Sequence, residues 1–137
     1  MRSILMSLIL AMFVGTAPAA EQQRRMIAFT IDDAPRADTN HFSGMDRATK
    51  LVAALKASQV PKVMFFSNTG RLVPYDIDRM KLYAAAGHSI GNHSHTHPDL
   101  HRVGVEAFVA NIKTADEILR ALPGYTKWFR FPFLREG

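Results

Sequence analysis

The stretch MIAFTIDDAP, Met26 to Pro35, decides how this 137-residue chain is read. Met26 to Ile31 is a short apolar run rich in β formers, and it stops at two adjacent aspartates, Asp32 and Asp33. That is the pattern of a buried strand delivering charge at its carboxyl end. The residues that follow, DDAPRADTNHFSG, carry the proline, glycine and short polar side chains of a loop.

Working outward, helix and strand alternate. From Met45 the apolar positions Ala48, Leu51, Val52 and Leu55 fall on one helical face, with Ser43 and Asp46 placed to form a capping box, and Pro61 closes the segment. Lys62 to Ser67 reads as a second strand. Asp76 is placed to cap a helix that turns Ile77, Met80 and Tyr83 inward and ends at Gly87. HSIGNH is a third short strand, and the apolar positions from Val105 to Leu122 (Phe108, Val109, Ile112, Ala115, Ile118 and Leu119 among them) predict the longest amphipathic helix, stopped by Pro123 and Gly124. A fourth strand is predicted from Lys127. The order β-α-β-α-β-α-β specifies an α/β fold with a parallel sheet, open or closing into a barrel, and in such folds chemistry gathers at the carboxyl ends of the strands. Asp32, Asp33, the histidines after strand three and Arg130 all fall at such ends.

The length allows one domain. Residues 1–19 read separately: Arg2, the eleven apolar residues Ile4 to Val14, and the Ala17-x-Ala19 pattern form an export signal, with cleavage expected after Ala19. Eleven apolar residues fall well short of the roughly 20 that span a bilayer, and the remainder, 20–137, is expected as an exported domain (periplasm or extracellular) with no membrane span. Without Arg2 the 17 basic residues become 16 against 12 acidic, a net charge of +4, scattered along the chain. A nucleic-acid partner is therefore not expected. The absence of cysteine removes disulfides and thiolate ligands, so any metal must be held by nitrogen and oxygen.

Histidines crowd the stretch Gly87 to Leu100, and the pairs His93/His97 and His97/His101 each stand four apart. Pro98 disfavours a regular helix through His97, so an irregular turn is predicted. Two imidazoles need a third ligand, and Asp32 and Asp33 offer it. Whichever aspartate binds the metal, its neighbour lies close enough to the metal's water to act as general base. Arg130 is positioned to hold that base by a bidentate contact. Each part has an ordinary reading taken alone: a solvated histidine, turn-forming aspartates, an arginine packed among aromatics. Their coincidence at the strand ends of one small domain favours the chemical reading. A Gly-x-Ser-x-Gly elbow, a phosphate-binding glycine loop and a His-Glu-x-x-His helix are all missing from the sequence.

Three motifs, TIDDAP (Thr30 to Pro35), HSHTH (His93 to His97) and RFPF (Arg130 to Phe133), resemble in this order the first three signatures of the polysaccharide deacetylases, carbohydrate esterase family 4. The resemblance covers nearly all of the chain after residue 19. It implies an incomplete distorted (β/α) barrel of about four strands alternating with helices, and a hydrolase that removes N-acetyl or O-acetyl groups from a polysaccharide such as peptidoglycan or a chitin-like polymer. It assigns Asp32 as general base, Asp33, His93 and His97 as ligands of a divalent metal (zinc, with cobalt or nickel as substitutes), Ser94 as support for the histidine turn, and Arg130 as the residue that holds Asp32. The backbone amide of Phe133 would help stabilise the oxyanion.

Ala34 stands where the family has glycine, Ile31 where it has phenylalanine, and Phe133 where it has tyrosine. The family's fourth and fifth motifs, which carry the general acid, lie beyond the third, so the sequence is expected to be the amino-terminal part of a longer catalytic domain. Phe29, Phe65, Phe66 and Phe131 are then expected to lack part of their cover. Two other readings stay open at this stage: a non-catalytic domain that binds metal or carbohydrate, and a hydrolase of cyclic amides or imides from the same superfamily.

Overall fold

The computed structural model describes residues 26–136, so the proposed export signal lies outside the described residues. Four strands, β1 (Phe29–Ala34), β2 (Val63–Ser67), β3 (Ser89–Asn92) and β4 (Tyr125–Phe129), form one sheet in the order β1-β2-β3-β4, with all neighbours parallel. The connections carry α1 (Gly44–Ala57), α2 (Pro74–Ala85), the one-turn α3 (Leu100–Val103) and α4 (Val105–Leu119). This is the strand-to-helix sequence of a (β/α) barrel, with β1 and β4 at the two edges of the sheet.

The core explains why the elements sit where they do. Val63, Phe65 and Ile90 project to one face and pack with Ala48 of α1, Met80 and Tyr83 of α2 and Leu119 of α4. The rings of Phe65 and Tyr83 stack with centroids 4.1 Å apart. Each of the buried Val, Ile, Leu, Phe and Met side chains among them contributes about 1.5–3 kcal/mol. Phe66 points to the opposite face, as strand alternation requires, and lies under the guanidinium of Arg130.

Several expectations are corrected. The first strand begins at Phe29, where pairing with Val63 of β2 starts, and it runs through both aspartates, while Met26 and Ile27 are exposed. Ile31 pairs with Phe65 and Ala34 with Ser67, so β1 carries one residue more than β2 over this interval. Asp33 absorbs that residue with φ 56°, a bulge that re-aims the side chains at the strand end. The fourth strand begins at Tyr125, two residues before Lys127. Asp76 is not the cap of α2: Val73 takes that position, Pro74 opens the helix, and the Asp76 carboxylate accepts from the Val73 amide at 2.9 Å. The α1 cap holds only half a capping box. The Ser43 hydroxyl accepts from the Asp46 amide at 3.1 Å and donates to the Asp46 carboxylate at 2.7 Å. On α4, Val105, Val109 and Ile118 face solvent. Phe29 is exposed as expected, but Phe65 and Phe66 are buried, because helices cover the first and Arg130 the second.

Beneath the loop after β1 lies a fully buried Arg79, ion-paired with Asp76 and donating from Nη1 to the Arg36 carbonyl. Gly44 leaves room beside it, since an added Cβ would overlap the buried Arg79 guanidinium.

Candidate metal centre and active site

The loop after β3 turns back on itself through two residues with positive φ, Ser94 (69°) and His97 (57°). The buried Ser94 hydroxyl accepts from the His97 amide at 3.1 Å, while the Ser94 amide donates to Asn92 Oδ1 at 2.7 Å. This turn brings His93 Nε2 and His97 Nε2 to 3.2 Å. Asp33 Oδ1, delivered from the bulge of β1, lies 3.6 Å from His97 Nε2 and 3.9 Å from His93 Nε2. Asp33, His93 and His97 therefore offer three ligand atoms within 4.8 Å of one another.

The chemistry of this donor set fits a divalent cation. His93 Nδ1 lies 2.9 Å from the Arg130 carbonyl. A carbonyl can only accept, so Nδ1 carries the proton and Nε2 of the neutral ring presents its lone pair to the shared space. Burial is the main cause that pushes the His97 imidazole below its ordinary pKa, against the attraction of Asp33, and this favours the neutral, ligating form. Two imidazole nitrogens and a carboxylate converging on one point is the ligand geometry of a three-residue site that leaves a position open.

Asp32 turns away from these ligands toward β4. Arg130 Nη1 donates to Asp32 Oδ1 at 3.1 Å and to Thr30 Oγ1 at 2.8 Å. The contact is single rather than bidentate: the same guanidinium nitrogen is shared with Thr30, and the guanidinium carbon lies over Phe66, 4.5 Å from its ring centroid. Phe133 follows at φ 57°, with its exposed ring edge-to-face on His97 at 4.6 Å. Of the remaining histidines, His88 is buried near Phe65, His41 and His101 are exposed, and His95 Nδ1 lies 2.8 Å from Thr69 Oγ1.

Two supports were not evident from the sequence. Asn111, on α4, accepts with Oδ1 from the amides of His95 (2.7 Å) and Thr96 (3.0 Å) and donates from Nδ2 to Thr96 Oγ1 at 2.8 Å. Gly70 donates its amide to the His95 carbonyl at 2.6 Å, and a Cβ there would come within 2.5 Å of that oxygen. An asparagine on an amphipathic helix and a glycine in a loop carry no motif of their own, though the glycine's place after a strand end is a usable signal.

Comparison with known proteins adds an independent line. The sequence profile described as polysaccharide deacetylase matches residues 19–136. A peptidoglycan-N-acetylglucosamine deacetylase of Bacillus cereus is 30% identical over 109 residues, covering 78% of this chain and 36% of the relative. A chitin deacetylase of Colletotrichum lindemuthianum is 27% identical over 126 residues, covering 88% of this chain and 47% of the relative. Among solved structures, the peptidoglycan deacetylase PdaC of Bacillus subtilis superposes with a TM-score of 0.66 at 25% identity, over 84% of this chain and 52% of that one. The chain thus spans between about a third and a half of the length of the relatives it matches. The strand order, the motifs and the profile agree, and the chain belongs to the polysaccharide deacetylase family.

Proposed function

We infer that the protein is an exported, metal-dependent hydrolase that removes acetyl groups, chiefly N-acetyl, from a polysaccharide such as peptidoglycan or a chitin-like polymer. The observation that carries this reading is the juxtaposition of the Asp33, His93 and His97 ligand atoms with a separate carboxylate, Asp32, held by Arg130. Residues 1–19 supply the export signal.

Asp33, His93 and His97 would hold the ion, with zinc the leading candidate and cobalt or nickel as substitutes. When bound, it supplies Lewis-acid polarisation of the acetyl carbonyl and lowers the pKa of water. Asp32 accepts the proton of the attacking water as general base. Arg130 fixes the orientation of that carboxylate, and Thr30 anchors the arginine in turn. Ser94 holds the His97 amide and so sets the spacing of the two imidazoles. The Phe133 amide is the proposed backbone donor to the developing oxyanion. The Phe133 ring, packed on His97, shields the ligand from water.

Zinc titration of the wild-type chain and of an Asp33→Ala, His93→Ala double variant, followed by assay of acetate release from acetylated chitin or peptidoglycan fragments, tests the reading. Tight zinc binding by the wild type alone is expected, and equal binding by both proteins would defeat the ligand assignment; acetate released by the wild type and not by the double variant would establish the hydrolytic part of the reading.

A further inference from the structure

Beside the corner formed by Asp33 and His97 the structure opens a cleft of about 710 Å³, walled by the loop after β1, the loop after β2 and the histidine turn. Its charged lining is mostly committed already. Asp33 faces the two imidazoles, and Arg36 reaches Asp33 Oδ2 at 3.4 Å. Asp38 accepts from the Gly44 amide at 2.6 Å, and Asp76 serves Arg79 and the Val73 amide. Arg47 spends Nη1 on the Ala37 carbonyl and Nη2 on Thr39 Oγ1. Arg71 differs from all of these: it is exposed on the cleft wall, and among the described residues no acceptor meets its guanidinium.

The same wall carries Tyr75, which is half exposed and has the buried Arg79 guanidinium 5.3 Å from its ring centroid. A flat aromatic surface next to a few oriented polar groups is the usual composition of a small-ligand site. We propose that this cleft is a saccharide subsite for a sugar bearing a carboxylate, the ring packing on Tyr75 and the acid group received by Arg71. The saccharide character rests on the deacetylase reading above; the preference for an acid rests on the uncommitted cation. A carboxylate monoanion fits better than a phosphate dianion, because Arg71 is the one guanidinium of the described lining left uncommitted and offers a single countercharge.

The test is binding, read by amide shifts of the isotope-labelled chain at low salt. The probes are an N-acetylated disaccharide carrying a lactyl ether carboxylate, its methyl ester, and N-acetylglucosamine 6-phosphate. The acid is expected to bind about fivefold more tightly than the ester, the size of one exposed charged contact. Arg71→Gln should bring the acid down to the ester's affinity while leaving the ester unchanged, which also shows that the variant is folded. Equal binding of acid and ester by the wild type, a preference that survives Arg71→Gln, or tighter binding of the phosphate would each overturn the proposal. Because this readout is binding of the sugar alone, failure of the deacetylase reading appears separately, in the zinc titration and the acetate-release assay.

Discussion

Asn111→Ala removes three hydrogen bonds without touching any atom of the proposed ligands, which makes it the sharpest probe of how the histidine turn is held. Thr96 is exposed, so water replaces the contacts to its amide and hydroxyl at little cost. The His95 amide is half-buried and loses its acceptor, and the net cost to stability is about 1–2 kcal/mol. The turn that relaxes is the one that spaces His93 and His97, and loss of such outer support weakens metal binding by about tenfold or more. Asn111→Asp keeps an acceptor for both amides, and the Thr96 hydroxyl can rotate to donate to the carboxylate, so this variant should retain most of the affinity. The assay is zinc affinity by competition with a chromophoric chelator, alongside urea unfolding of the metal-free chain. An Asn111→Ala protein that unfolds more easily yet binds zinc within twofold of wild type would show that α4 stabilises the fold without setting the ligands.

Gly70→Ala should disturb the same turn from the other side, since its Cβ would stand 2.5 Å from the His95 carbonyl oxygen; a loss of about 1–3 kcal/mol is expected in denaturant titration. Tyr125 donates to Asp116, and its phenol is pushed up to about 12, first by burial and then by that carboxylate. A raised folded value means its stabilisation is fully present below the ordinary value of 10.0 and is lost as pH climbs through about 12. Tyr125→Phe should remove this alkaline loss from the stability profile. Asp116 is held low, chiefly by Tyr125 and then Arg120, so its contribution is present above the ordinary carboxylate value and fades as pH falls below it. Asp116→Asn should flatten that acid limb in equilibrium unfolding. Arg130→Lys should leave zinc binding intact and lower turnover, as the shorter lysine ends in a mobile ammonium in place of the guanidinium that Phe66 and Thr30 together hold against Asp32; weakened zinc binding would count against this division of labour.

What could be read from the sequence was whatever repeats or clusters. The apolar runs at Val63 to Ser67 and on α4 carried the alternation, and the paired aspartates with the histidine doublet carried the candidate centre. Edges were harder to read. Met26 and Ile27 look like strand residues, yet they have no partner strand in the described sheet, and Asp32 and Asp33 look like turn residues, yet pairing with β2 continues past them. The single helical turn Leu100–Val103, capped by Asp99, is too short to show a period. Thr30 and Asn111 act through distances of 100 and 15 to 16 residues along the chain, which local patterning does not encode.

Arg130 enters the centre twice, by its side chain to Asp32 and by its main-chain carbonyl to His93. The first link can be altered by substitution; the second belongs to the backbone and survives any side chain at that position. The proposed base and the proposed ligand are thus genetically separable but mechanically joined. A displacement of the chain where it leaves β4 would carry the Asp32 carboxylate and the His93 imidazole together, keeping their relative alignment while the rest of the sheet adjusts.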